Sequence, residues 1–105
     1  DAVLSSFRES LISSFQAKSI DEIYNWGANQ AYLALGNMLT VCATQEIDAC
    51  PMEGFDPQAL DLQLGLDQRG LHSVLICTIG RRAKDDSYQF VKKVRRDKKS
   101  IFEQI

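Results

Sequence analysis

Residues 19–55 decide the fold of this chain, and they read SIDEIYNWGANQAYLALGNMLTVCATQEIDACPMEGF. Ser19 and Glu22 stand at the spacing of a capping box, in which each side chain accepts a hydrogen bond from the other residue's backbone N–H. From there to about Gln45, apolar residues recur with no wide polar face between them. The pattern predicts one long helix over this range, followed by a short strand or loop over 47–55.

The predicted long helix has more apolar surface than the other residues of this chain can bury. A helix that is apolar nearly all round is usually buried in a large core, and a chain of 105 residues has little material to cover such a length. Small residues would also let a second helix approach closely: Gly27, Ala31, Ala34 and Gly36. We therefore expect oligomerisation or a further segment of chain against it, while a central core helix without an interface is the alternative.

The rest of the chain divides into five segments. They are an amphipathic helix over 2–15, a short helix over 57–64, a buried central strand over 73–80, an extended loop over 81–100 and a short strand over 100–105. Asp56 and Pro57 are typical of a helix start, and Gly65 is typical of a helix end. This order indicates an α/β or α+β class, and since one central strand cannot form a sheet, its neighbours must come from elsewhere.

Composition and charge exclude several classes of protein. The net charge of −2 gives no reason to expect binding to nucleic acid or to a membrane. The longest apolar region, 28–43, is interrupted by polar residues and falls short of the roughly 20 apolar residues that span a bilayer. Three cysteines without a CxxC pair suit reduced thiols in a cytoplasmic protein, with Cys42 and Cys77 as core residues.

The sequence contains no self-contained catalytic constellation. Glycine-rich phosphate loops and the HExxH metal motif are absent, and no nucleophile stands beside a base. The only histidine, His72, has no evident partner and is expected at a strand edge. We therefore predict neither catalytic side chains nor a metal site.

Two segments suit ligand binding through the backbone and through fixed charge. In the first, residues 50–55, Gly54 would let a flat ring approach the main chain, although an ordinary turn fits the composition equally well. The second lies in the basic region from Arg81 to Lys99, with nine Lys or Arg against three Asp. There Lys93 and Arg95 would lie on one side of an extended segment and hold a phosphate, while the alternative is a solvated charged face.

These segments carry a resemblance to a known family. The helix over 26–39, the segment 47–56, the strand ending at Ile79-Gly80 and the tripeptide 93–95 resemble the C-terminal half of the oxygen-insensitive NAD(P)H nitroreductases and related dihydropteridine reductases. The resemblance covers nearly the whole chain from about Ser19 onward. It implies a partial α+β, nitroreductase-like fold, in which helices pack on a mixed sheet completed by an N-terminal half and a partner subunit. Because the chain starts at Asp1 rather than Met, we expect residues 1–105 to be the C-terminal part of one such domain.

The resemblance also implies a cofactor and its binding residues. Family members are homodimers that hold FMN at the subunit interface, in a cytoplasmic setting. The loop matching Pro51, Met52, Glu53 and Gly54 would lie against the isoalloxazine ring, with the Glu53 and Gly54 amides near flavin N5. Lys93 and Arg95 would hold the FMN phosphate, and the segment 101–105 would cross to the partner's sheet.

The family reaction is a ping-pong hydride transfer. NAD(P)H reduces FMN, and a nitroaromatic, a quinone or a similar acceptor then takes the electrons at the same place. Without the N-terminal half, we expect these residues alone not to form a competent enzyme. The alternative from another class is a non-catalytic helical dimerisation module whose basic tail binds an anion or a partner protein.

Overall fold

The computed structural model describes residues 2–104. Its helices are α1 (Ala2–Gln16), α2 (Ile20–Thr44) and α3 (Pro57–Leu64), and its strands are β1 (Asp48–Met52) and β2 (Ile76–Gly80). Short 3-10 turns lie at Asp67–Arg69, Ser87–Phe90 and Lys98–Ser100. The predicted helices over 2–15, 20–45 and 57–64 are therefore confirmed to within one residue at each end.

The start of α2 has the local hydrogen bonds that its sequence predicts. The Glu22 carboxylate accepts from the Ser19 amide at 2.7 Å, and the Ser19 hydroxyl accepts from the Glu22 amide at 3.3 Å. The backbone hydrogen bond from Ser19 lowers the pKa of Glu22. Because two otherwise unpaired backbone donors are satisfied within four residues, the start of α2 is fixed by local sequence alone.

The ends of α3 are fixed in the same way. The Asp56 carboxylate accepts from the amides of Gln58 and Ala59 at 3.0 and 3.2 Å, and Pro57 takes the first helical position, where no N–H is needed. Gly65 then ends the helix with φ at 63°, a left-handed conformation that favours glycine.

The two strands form an antiparallel sheet in which Asp48 lies opposite Gly80 and Met52 lies opposite Ile76. The strand predicted over 73–80 begins only at Ile76, and its residues are half-buried or exposed instead of buried. The prediction of a buried central strand is thus wrong, because in the described part of the chain β2 has one neighbour and lies at a sheet edge. Three helices together with an antiparallel strand pair confirm a partial α+β fold.

The strand predicted over 100–105 is also not formed in the described residues. The chain makes the 3-10 turn at Lys98–Ser100, and the amides of Ile101 and Phe102 bond to the Lys98 carbonyl at 3.0 and 2.9 Å. A strand needs a neighbour for its backbone groups, and in residues 2–104 no third strand lies beside this segment, so a local turn satisfies them instead. Ile105 lies outside the described residues.

Burial within the described residues is slight. Cys42 is 5% exposed and Asp61 is 7% exposed, and these are the only two buried residues in 2–104. Cys42 thus confirms its predicted core position, whereas Cys77 is half-buried and Cys50 is exposed. The radius of gyration is 19.2 Å, against about 13 Å for a compact chain of about 100 residues. The described residues therefore do not close around a core of their own.

The apolar side chains of α2 remain largely exposed within the described residues. On α2, Leu33 is 69% exposed. The Trp26 ring meets Phe15 of α1 edge-on at 4.9 Å between centroids, and Trp26 is still 47% exposed.

Within residues 2–104, no helix has both the length and the apolar character needed to cross a membrane. The completion of a mixed sheet by other chain segments stays a prediction.

Candidate functional site

The loop that follows β1 presents backbone donors without partners. Phe55 N–H donates to the Glu53 carbonyl at 2.9 Å, which closes a three-residue turn centred on Gly54. In the described part of the chain, neither the Glu53 amide nor the Gly54 amide donates to a backbone carbonyl or a side chain. Two adjacent N–H groups are therefore available to an acceptor outside these residues.

Gly54 has no conformational or packing reason to be glycine within the described residues. Its φ is not in the left-handed region, and a Cβ added there would meet no atom within 4 Å. The Cβ of an alanine would therefore meet no other atom here. The open space beside Gly54 is room for a group that approaches the main chain from outside.

The side chain of Glu53 is held from α2. The Tyr32 hydroxyl donates a hydrogen bond to the Glu53 carboxylate, across 21 positions of sequence. This hydrogen bond raises the pKa of Tyr32, because removing the phenol proton would leave two negative charges facing each other. The loop after β1 is thus tied to the middle of the long helix.

The opposite end of the strand pair carries an ion pair. Arg82 donates to the Asp48 carboxylate through its backbone N–H at 3.0 Å, through Nε at 2.8 Å and through its terminal Nη2. The Arg82 side-chain bonds hold the pKa of Asp48 at about 2, below its usual value of 3.8. These bonds between Arg82 and Asp48 fix the direction in which the chain leaves β2 towards the basic region.

An open pocket of about 560 Å³ lies beside this ion pair. Its walls come from the Asp48 end of β1, the Gly80 end of β2 and the segment that includes Tyr88 and Lys93. Arg95 is not part of these walls, and its Nη1 donates to the carbonyl of Val94 at 2.9 Å. The structure thus brings Lys93 to the sheet but does not place Arg95 beside it.

The predicted site residues fall at two ends of the sheet. Pro51 and Met52 are the last residues of β1, and the Glu53–Gly54 loop follows them. Lys93 lines the pocket at the other end of the strand pair, and the two ends of β1, Asp48 and Met52, are about 13 Å apart along four steps of strand. A ligand that contacts both ends must therefore be elongated, with an acceptor or flat group at one end and an anion at the other.

A third cluster joins α3 to the segment before β2, and the sequence gives no sign of it. The buried Asp61 carboxylate accepts from the Ser73 amide at 2.8 Å and lies 3.4 Å from His72 Nδ1. The hydrogen bonds from Ser73, and then the bond from His72, lower the pKa of Asp61. His72 also meets the Tyr24 ring edge-on at 5.7 Å. The histidine expected to lack a partner therefore has one.

Comparison with known proteins assigns the chain to a family. Residues 9–81 match the model of the nitroreductase family. Over 68 residues the chain is 37% identical to the oxygen-insensitive NAD(P)H nitroreductase of Salmonella typhimurium, a match covering 65% of the chain and 31% of that relative. A similar protein of the same name from Enterobacter cloacae is 38% identical over 61 residues, covering 58% of the chain and 28% of the relative.

The chain matches less than a third of the length of these two relatives. The family model nevertheless covers well over half of the chain, including α2, both strands and the loop between β1 and α3. A match of this extent confirms the resemblance over residues 9–81, whereas Lys93, Arg95 and the segment 101–105 lie outside the matched range. The chain therefore belongs to the nitroreductase family.

Proposed function

We propose that this protein binds FMN and serves an NAD(P)H-dependent reduction of nitroaromatic, quinone or similar acceptors. The observation that carries the proposal is the turn at Glu53–Gly54, with two unpaired amides beside a glycine that has open space where a Cβ would stand. A flat ring with hydrogen-bond acceptors fits this arrangement, because the ring can lie against the main chain while its heteroatoms receive the N–H groups. The relatives' names, which specify NAD(P)H and nitroreductase, support the same reading.

The residues at both ends of the sheet fit the two ends of FMN. Pro51 and Met52 would line the ring edge as β1 ends, and the Glu53 and Gly54 amides would donate to the ring. Lys93 would pair with the phosphate in the pocket at the far end of the strand pair, which is about 13 Å long. Arg95 would join it by exchanging its bond to the Val94 carbonyl for a stronger, charge-assisted bond to the phosphate.

FMN supplies the chemistry when bound, by accepting a hydride from NAD(P)H and passing electrons to the acceptor in a ping-pong cycle. The chain's own residues bind the cofactor, orient it and hold hydrogen-bond donors near the ring atom that receives the hydride.

The active protein is proposed to be a homodimer. Trp26, Leu33 and Val41 are about half exposed or more on α2, and the described residues bury almost no apolar side chain. Apolar surface of this extent is removed from water when it packs against another chain or another segment. We propose that a partner subunit and an N-terminal half supply that cover and the remainder of the FMN and acceptor pockets.

The experiment that tests FMN binding compares two double variants of the full-length protein. Lys93→Ala with Arg95→Ala removes both proposed phosphate ligands, whereas Lys98→Ala with Lys99→Ala removes the same charge from the neighbouring turn. A hydrogen bond to a charged group contributes about 1.5–3 kcal/mol, so the first variant should bind FMN about tenfold more weakly or worse. Flavin absorbance after dialysis and a titration with FMN give the readout.

The control variant should retain its flavin, and both variants should keep the dimer. Equal flavin content in the two double variants would contradict the assignment of Lys93 and Arg95. A colourless full-length protein that still dimerises would favour the second candidate function, a helical dimerisation module whose basic tail binds an anion or a partner. The exposed apolar surface of α2 is the observation that supports this second candidate.

A further inference from the structure

The hydrogen bond between Tyr32 and Glu53 links α2 to the proposed ring-binding turn. We infer that Tyr32 is a positioning residue: by holding the Glu53 side chain, its hydroxyl sets the direction of the Gly54 amide relative to the Glu53 amide, and so how the two donors meet the flavin ring. This inference rests on the proposed FMN site and adds to it a residue that lies outside the ring-binding loop, 21 positions earlier in the chain.

The peptide between Glu53 and Gly54 is fixed by the turn itself. In a planar trans peptide the carbonyl and the following N–H point in opposite directions. Because the Glu53 carbonyl accepts from the Phe55 amide at 2.9 Å, the Gly54 N–H must point away from the turn. One of the two donors is therefore directed outward by local geometry.

The preceding N–H, that of Glu53, depends on how the residue leaves β1. Met52 is held in the sheet opposite Ile76, so the chain is restrained up to the start of Glu53. Beyond that point, the bond from Tyr32 is the only side-chain hydrogen bond of Glu53 in the described residues. Without it, rotation about the Glu53 φ and ψ torsions would turn the Gly54 amide, whereas the Glu53 amide stays in the planar peptide that Met52 holds at the end of the sheet.

Tyr32 is well suited to hold this residue. It stands near the middle of the 25-residue helix α2, where fraying is least, and a phenol has only two rotatable side-chain bonds. Its raised pKa keeps the proton on the hydroxyl, so the group remains a donor to the carboxylate. A rigid helix thus fixes a loop that otherwise has only a single turn bond of its own.

The test uses Tyr32→Phe, which removes one hydroxyl and keeps the ring, in the full-length protein. Tyr24→Phe, on the same helix, is the matched control because its ring contact with His72 does not need the hydroxyl. Glu53→Gln is the conservative variant, since its side-chain oxygen can still accept from Tyr32. Two readouts are taken: the 15N–1H amide signals of Glu53 and Gly54 without added flavin, and the FMN affinities in the oxidised and reduced forms.

In Tyr32→Phe, the Glu53 and Gly54 amide signals should shift or broaden, while Tyr24→Phe and Glu53→Gln leave them close to those of the natural protein. The ratio of reduced to oxidised FMN affinity should change by about two- to tenfold, the factor that corresponds to one hydrogen bond. Unchanged amide signals in Tyr32→Phe would overturn the inference, as would an unchanged affinity ratio. If FMN binds to none of these proteins, the proposed function fails, and the amide signals alone decide whether Tyr32 sets the loop.

Discussion

Replacing Gly27 and Gly36 with alanine tests whether a second helix packs against α2. Both glycines lie inside the helix, and a Cβ at either position would meet no atom within 4 Å in the described residues. Glycine inside a helix costs about 0.5–1 kcal/mol relative to alanine. If nothing else covers α2, the double variant should raise the free energy of unfolding by about 1–2 kcal/mol, with a Tm increase of about 4–8 °C per kcal/mol.

The proposed homodimer predicts the opposite sign. Gly27 and Gly36 stand nine residues apart, on opposite faces of α2, so a closely packed partner helix would occupy the space of one of the two added methyl groups. Overpacking of this kind costs about 1–3 kcal/mol. The gain in helix propensity applies to monomer and dimer alike, whereas the overpacking acts on the dimer only, so we expect the dimer dissociation constant to rise about fivefold or more. The helix content of the monomer should not fall, because alanine favours the helix.

Analytical ultracentrifugation over a concentration series, together with urea unfolding of the same samples, separates the two effects. Asn25→Ala, at an exposed position of the same helix, is the control for a general change in helix propensity. A Gly27→Ala, Gly36→Ala protein that is more stable and dimerises at the same concentration as the natural protein would refute the close approach of a partner helix at these glycines.

Two further predictions concern the two ends of the sheet. Gly54→Val should abolish flavin uptake and leave the circular dichroism spectrum unchanged, because its Cβ meets nothing within 4 Å; normal flavin content would remove the ring-facing role of this residue. At the other end, Asp48 has a folded pKa of about 2 against its usual 3.8, so its bonds to Arg82 stabilise the fold above about pH 4 and lose that effect as the pH falls towards 2. The urea midpoint of the natural protein should therefore drop more between pH 5 and pH 2.5 than that of Asp48→Asn. Equal drops would contradict the stabilising role of the Asp48–Arg82 ion pair.

The candidate site contains residues that were predicted from the sequence and one, Tyr32, that was not. Pro51 to Gly54 and Lys93 were predicted from a resemblance to a family. The structure adds that Pro51 to Gly54 lie at one end of the strand pair and that Lys93 lines a pocket at the other end. Their role in binding FMN stays a prediction. Tyr32 gave no such signal, since its partner is 21 residues away and a tyrosine in an apolar helix reads as a packing residue.

The sequence by itself determined the elements whose hydrogen bonds are local. The capping box at Ser19 and the Asp56 cap with its Gly65 stop each act within a few residues, so they cost little chain entropy and do not depend on the rest of the fold. The bounds of all three helices follow from such signals together with hydrophobic periodicity.

Only the tertiary structure decided the contacts that join distant segments. The antiparallel register of β1 and β2, the Asp48–Arg82 pair and the Asp61–His72 pair depend on the path of the chain between their members, which no local pattern encodes. The strand predicted near the C-terminus failed for the same reason, because a strand exists only where another backbone lies beside it. Helices satisfy their backbone groups within one segment, whereas sheets and side-chain clusters require partners that only the folded chain brings together.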